Sequence, residues 1–198
     1  MATSSARVEA TDAILDAAES LLIEVGYAAI TTRKLAERAQ VNHGLVHYYF
    51  GSMNEVFLQV LERHTRHLTQ RQRDLYAADV PFIEKWRAAM AHLVDSQEAG
   101  YQKIWLELQA MAWNHPEMRE RVGRILAEWQ GVLVPAFREG LRELGIDRRR
   151  FPVEAVVSLV VTFNEGVILE RLLGVDSGHA QLLDMIDRLL VRQHREAT

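Results

Sequence analysis

An all-α fold, with a small N-terminal tri-helical unit ahead of a larger helical region, is predicted by three observations on this chain of 198 residues. Apolar residues recur at helical spacing in nearly every segment, no segment alternates as a strand does, and glycine or proline falls where one helix must give way to the next. The apolar share, 48%, is ample for a packed core.

The first helix is read from Ile14, Leu15, Ala18, Leu21, Leu22 and Val25, which follow Thr11 with the spacing of one buried face. Gly26 ends it. Thr31 and Thr32 are N-cap candidates for a second helix of about two turns that buries Leu35, Ala36 and Ala39. Asn42 can cap a third, because its side-chain oxygen can accept from amides two or three residues on. Leu45, Val46, Tyr49 and Phe50 form the inner face of that helix. Longer helices are expected at 54–77, 81–98, 101–113, 116–143, 152–173 and 177–194, with breaks at Pro81, Gly100, Pro116, Gly145/Pro152 and Gly174/Gly178. Within 116–143, Pro135 lacks an amide and crowds the carbonyl of Gly131, so a kink is expected there.

Charge and cysteine content narrow the function classes. There is no cysteine, which removes disulfides, thiolate redox sensing and every Cys-containing zinc site. The first ten residues are polar and no stretch approaches the roughly 18 apolar residues of a membrane span, so a soluble cytoplasmic protein is expected. The net charge is −4, and residues 1–53 carry four basic side chains (Arg7, Arg33, Lys34, Arg38) against six acidic ones. Bulk attraction to a polyanion is excluded. Any grip on nucleic acid must come from a local arrangement of donors, with the acids turned away.

Such an arrangement is present. A helix-turn-helix needs small residues where its two helices touch, a tight turn between them, and hydrogen-bonding side chains facing out near the start of the second. Ala36 and Ala39 permit the approach, Gln40 and Val41 make the turn, and Asn42, His43, Leu45, His47 and Tyr48 face out. His43 and His47 stand four apart, but no third ligand lies near in sequence, so no metal or cofactor is implied.

The segments Thr31-Thr32-Arg33-Lys34-Leu35-Ala36, Ala39-Gln40-Val41-Asn42-His43-Gly44 and Tyr48-Tyr49-Phe50-Gly51-Ser52 resemble the DNA-binding signature of the tetracycline-repressor (TetR) family, over roughly residues 11–57. Members typically carry Gly at the Gln40 position, Ser at Asn42, Tyr at His47 and Lys at Met53. The resemblance implies that Thr32 contacts phosphate, that Arg33 reaches a base edge or phosphate, that His43, Leu45 and His47 face bases, and that Tyr48 and Tyr49 hold the DNA backbone, with Asn42 at the helix start. The chemistry agrees, since Arg can fork onto guanine and Leu can touch a thymine methyl. It further implies a DNA-binding domain at 1–53 and a ligand-binding and dimerisation domain at 54–198, acting as a homodimeric repressor released from its operator by a small, largely apolar molecule.

In the C-terminal region, residues 82, 86, 90 and 93 share one helical face and 101, 104/105, 108 and 111/112 another. The resemblance implies a cavity among the middle helices, for which Trp86, Met90, Trp105, Met111, Phe163 and Asn164 are the candidate ligand-binding residues. Asn164 is polar in an apolar sector and needs a partner. His64 follows the inward stripe of Phe57, Val60 and Leu61, a position suited to coupling the two regions. Helix 152–173 is apolar around most of its circumference, and Leu182, Leu183, Ile186, Leu189 and Leu190 repeat the pattern, resembling the family's four-helix dimer interface.

Two rival classes fare less well. A di-iron enzyme needs Glu-x-x-His pairs, and no histidine here has glutamate three positions before it; hydrolase, zincin and phosphate-loop motifs are absent too. A helical protein-binding adaptor without specific DNA binding is the remaining alternative, favoured by the acidic balance and Met53.

Overall fold

The computed structural model describes residues 2–93 and 99–197. Among them the chain forms nine α-helices and one short 3₁₀ turn, with no strand: α1 Ala2–Val25, the turn Tyr27–Ala29, α2 Thr32–Ala39, α3 His43–Phe50, α4 Met53–Ala77, α5 Phe82–Leu93, α6 Ala99–Ala112, α7 Pro116–Glu143, α8 Val153–Leu172 and α9 His179–Ala197. The expected helices are all present. One boundary differs clearly from expectation, since α1 begins ahead of Thr11, and α6 starts at Ala99, which makes Gly100 its second residue. The tail of the helix expected at 81–98 lies outside the described residues. Helix α7 continues through Pro135.

The chain forms two compact units, one of residues 1–66 with 100–125, the other of 67–99 with 126–198. In the first, Ile14, Leu21 and Leu22 of α1, Leu35 of α2, Val46 of α3, Val56 and Leu61 of α4, and Ile104 and Leu108 of α6 are all essentially inaccessible to water. Each such side chain stabilises the unit by about 1.5–3 kcal/mol relative to exposure. Arg121 of α7 ties α4 in place through ion pairs to Glu55 and Glu62.

The second unit has its own core, built from Phe82, Trp86 and Met90 of α5, Leu133, Phe137 and Leu141 of α7, and Val153, Val157 and Val161 of α8. Phe137 is its hub, edge-on to Phe82 at 5.2 Å and to Trp86 at 6.4 Å. Gly140 is required there, because a Cβ would fall 2.3 Å from the Phe82 ring.

Candidate functional site

The reading head is assembled by local hydrogen bonds. Thr31 Oγ1 accepts from Lys34 N–H at 3.2 Å and starts α2, which leaves Thr32 half-buried as its first residue. The turn closes at Gln40, held in the left-handed conformation at φ 55°, with Val41 N–H donating to Ala36 C=O at 3.0 Å. That conformation costs a non-glycine residue about 1–2 kcal/mol, which is the reason glycine is common at such turns. Asn42 Oδ1 then accepts from Gly44 N–H at 2.9 Å and starts α3.

Helix α3 is two-sided. Val46 and Phe50 are buried; Leu45 and Tyr49 are half-buried; His43, Gly44, His47 and Tyr48 are exposed. The exposed set repeats at i, i+1, i+4, i+5, one continuous stripe along the helix. Tyr48 is 79% exposed and meets the Tyr49 ring edge-on at 5.1 Å, so an apolar ring stands in water with its hydroxyl free to donate or accept. His47 Nδ1 lies 3.1 Å from the carbonyl oxygen of Gly51. Arg33 is almost fully exposed, and its Nε donates to Glu37 at 2.9 Å, leaving the outer edge of the guanidinium uncommitted.

Arginines quench the acids expected to turn away. Arg38 donates twice to Glu24, both at 2.8 Å, and once to Ser20. The Arg38 and Ser20 hydrogen bonds pull the Glu24 carboxyl down to about 2. Arg63 of α4 donates to Asp16 at 2.7 Å and to Glu19 at 2.8 Å. With Glu37 on Arg33, at least four of the six acids in residues 1–53 have a guanidinium partner.

Two functional candidates escaped the sequence. On α6, Lys103 Nζ donates to Ile23 C=O at 2.7 Å, and Glu107 Oε2 accepts from Tyr27 N–H at 2.8 Å. One residue therefore satisfies an end carbonyl of α1 and the other an amide of the turn that follows. Gly100 sits beneath Ile23, and a Cβ there would fall 2.9 Å from Ile23 Cδ1. Residues 100, 103 and 107 share one helical face, so α6 grips the end of α1 along its length. Beside this grip His64 stacks on Tyr101, rings 4.2 Å apart and 7° from parallel, with Nδ1 3.7 Å from Glu19.

The candidate ligand residues separate into two groups. Trp105 and Met111 are buried in the first unit; Trp86 and Met90 are buried in the second, and Phe163 packs against their cluster. Asn164 is buried, and its Oδ1 has no hydrogen-bond partner. The interface candidates also separate. Leu183, Ile186 and Leu190 pack onto their own core, whereas Leu159, Leu169, Leu173, Met185 and Leu189 stand 47–72% exposed. Along α8 and its C-cap Leu173, exposed positions 155, 159, 162, 166, 169 and 173 alternate steps of four and three, the spacing of a helix-packing seam.

Two short capped helices joined by a tight turn, the second with an exposed polar stripe, have the architecture of a helix-turn-helix, and comparison with known proteins says which kind. Residues 14–60 match the model for bacterial regulatory proteins of the tetR family, and 82–195 match the C-terminal domain of the BetI-type transcriptional repressor. The chain belongs to the TetR family of helix-turn-helix transcriptional regulators. An HTH-type transcriptional repressor of Mycobacterium tuberculosis H37Rv is 39% identical over 74 residues, 37% of this chain and 39% of that protein. That match spans about two fifths of the relative's length. A second regulator from the same strain is 24% identical over 169 residues, 83% of this chain and 84% of its own. The solved structure of the fatty acid degradation regulator FadR from Bacillus halodurans superposes with a TM-score of 0.73 at 20% identity, covering 91% of this chain and 94% of that one. The transcriptional regulator FadR from Bacillus subtilis, in complex with stearoyl-CoA, gives 0.72 at 20% identity over 90% and 96%. At that identity the likeness is one of fold.

Proposed function

We propose that this regulator is a cytoplasmic homodimeric repressor that leaves its operator when a small, largely apolar molecule binds its C-terminal region. The observation that carries the DNA half is the exposed stripe of α3, His43, Gly44, His47 and Tyr48, together with the exposed guanidinium of Arg33 on α2. In this reading Arg33, His43, Leu45 and His47 meet base edges, while Thr32, Tyr48 and Tyr49 hold phosphates, with Asn42 at the helix start. Dimerisation is supported by the exposed α8 seam together with Met185 and Leu189 of α9. So much apolar surface is a liability on a monomer, and the open space over Gly166 leaves room for a close approach.

The effector half is supported by Asn164, whose buried oxygen lacks a partner among valines and so suits a ligand donor. That FadR from Bacillus subtilis was solved with stearoyl-CoA fits an effector with a long apolar part. The clamp of Lys103 and Glu107 and the His64–Tyr101 stack are the parts through which movement of α6 or α4 reaches the reading head.

Selection of bound sequences from a random duplex pool, followed by a metabolite screen for release of the recovered site, tests the reading. Arg33→Ala should relax one position per half-site at a cost of about 1–3 kcal/mol, and Tyr48→Phe should weaken all duplexes alike. Failure to enrich any sequence favours the adaptor reading instead.

A further inference from the structure

Resting on the reading of α3 as the recognition helix, we propose that His47 is a specificity-determining residue that tells amino bases from keto bases, accepting from adenine or cytosine and disfavouring guanine or thymine at one position of each half-site. His47 Nδ1 lies 3.1 Å from Gly51 C=O. A carbonyl oxygen only accepts, so Nδ1 must carry the hydrogen. In a neutral imidazole the other nitrogen then holds a lone pair and no proton. Gly51 is fixed in its own right: it ends α3 at φ 72°, and its N–H donates to His47 C=O at 2.9 Å. The tautomer is therefore set by the backbone that the same residue helps to cap.

His47 is exposed on the stripe shared with His43 and Tyr48, so Nε2 is the atom left for DNA. In the major groove adenine offers its N6 amino group and cytosine its N4 amino group as donors, whereas guanine O6 and thymine O4 are acceptors. An outward lone pair matches the first pair and opposes the second. The neighbours do not discriminate in this way. A tyrosine hydroxyl donates or accepts as required, and among the described residues no hydrogen bond fixes the ring of His43.

The test is duplex selection with the full chain at pH 8.5, above the range in which histidine charges. Wild type should take A or C about tenfold over G or T at one position per half-site. His47→Ala should make that position indifferent and leave the others selected; His47→Arg, which only donates, should turn it to G. A measurement on wild type alone guards against a variant that fails to fold. Each selected A or C is replaced in turn by purine or 2-pyrimidinone, which lack the amino group, and one such replacement per half-site should cost about tenfold in affinity. The inference is overturned if the position erased by His47→Ala is G or T in wild type, if no position changes while the rest stay selected, or if no amino deletion weakens binding. Wild type that selects no sequence overturns the regulator reading itself.

Discussion

Replacing Gly26 by alanine tests the grip of α6 on the reading head. Gly26 has φ 74° and ψ 161°, a region essentially closed to residues with a side chain and costing about 1–3 kcal/mol. A Cβ there would also fall 2.8 Å from Glu107 Oε1, so the carboxylate must withdraw from the Tyr27 N–H it accepts from. A hydrogen bond to a charged group contributes about 1.5–3 kcal/mol, but Tyr27 is 38% exposed and water replaces part of it, leaving about 1 kcal/mol. Gly26→Ala should therefore cost about 2–4 kcal/mol and Glu107→Ala about 1 kcal/mol. The double variant should fall short of their sum by about 1 kcal/mol, since the same bond is lost only once. Urea unfolding of the four proteins, all at one concentration so that any self-association weighs equally on each, gives the cycle. Additivity within about 0.3 kcal/mol would show that Glu107 and the turn do not touch in solution.

Three further outcomes are expected. Leu159→Glu should leave helix content unchanged while light scattering reports a monomer at micromolar concentration; a dimer would move the interface away from the α8 seam. Met53→Lys places a cation in the first turn of α4 and should raise affinity for all duplexes alike, steepening the salt dependence of log K by about 0.9 for each added phosphate contact. Glu24 is held by Arg38 down to about 2, below its ordinary 4.5, so it favours the fold above pH 4.5 and loses that contribution as pH falls from there toward 2. The stability gap between wild type and Glu24→Gln should accordingly close across that window, and a gap that persists at pH 2 would contradict the pairing.

The helices were legible because each is written in local chemistry. Asn42 announces the start of α3 by its own side chain, and Gly26 and Gly51 mark ends where the backbone turns to positive φ. Gln40 shows the limit of that code: it takes the left-handed turn without being glycine, because Ala36, Ala39 and the capped start of α3 fix the geometry around it. Gly100 carries a demand of a related kind. Glycine reads as a break, and Gly100 is the second residue of α6, but its missing Cβ also lets Ile23 come close, a demand made by another helix rather than by its neighbours in sequence. Lys103 and Glu107 look like an ordinary i, i+4 surface pair, and nothing in α6 says that their partners are backbone groups 80 residues earlier. The exposed apolar surface was half legible. An apolar pattern on α9 reveals how many faces want burial, but which of Leu183 and Leu189 turns inward depends on the phase of the helix against α5 and α8.

These features suggest why an acidic chain can still read DNA. Instead of a field of lysines, the head presents neutral polar side chains on α3 and the exposed guanidinium of Arg33, while four of its acids are held by Arg33, Arg38 and Arg63. Affinity built this way depends on geometry more than on charge, so it is sensitive to small displacements of the head, and such sensitivity is useful in a switch. The grip of α6 on the end of α1 fixes that geometry through two hydrogen bonds to backbone, which no rotamer change in the head itself can evade. If an effector acts by moving α6, its coupling to DNA is bounded by what those contacts are worth, and ligand and operator must weaken each other by the same factor. Lys103→Ala and Glu107→Ala should then lower the coupling while leaving effector affinity for the free protein near its wild-type value. An unchanged ratio between effector affinities of the free and the operator-bound protein in both variants would place the signal elsewhere, with the His64–Tyr101 stack on α4 the next element to test.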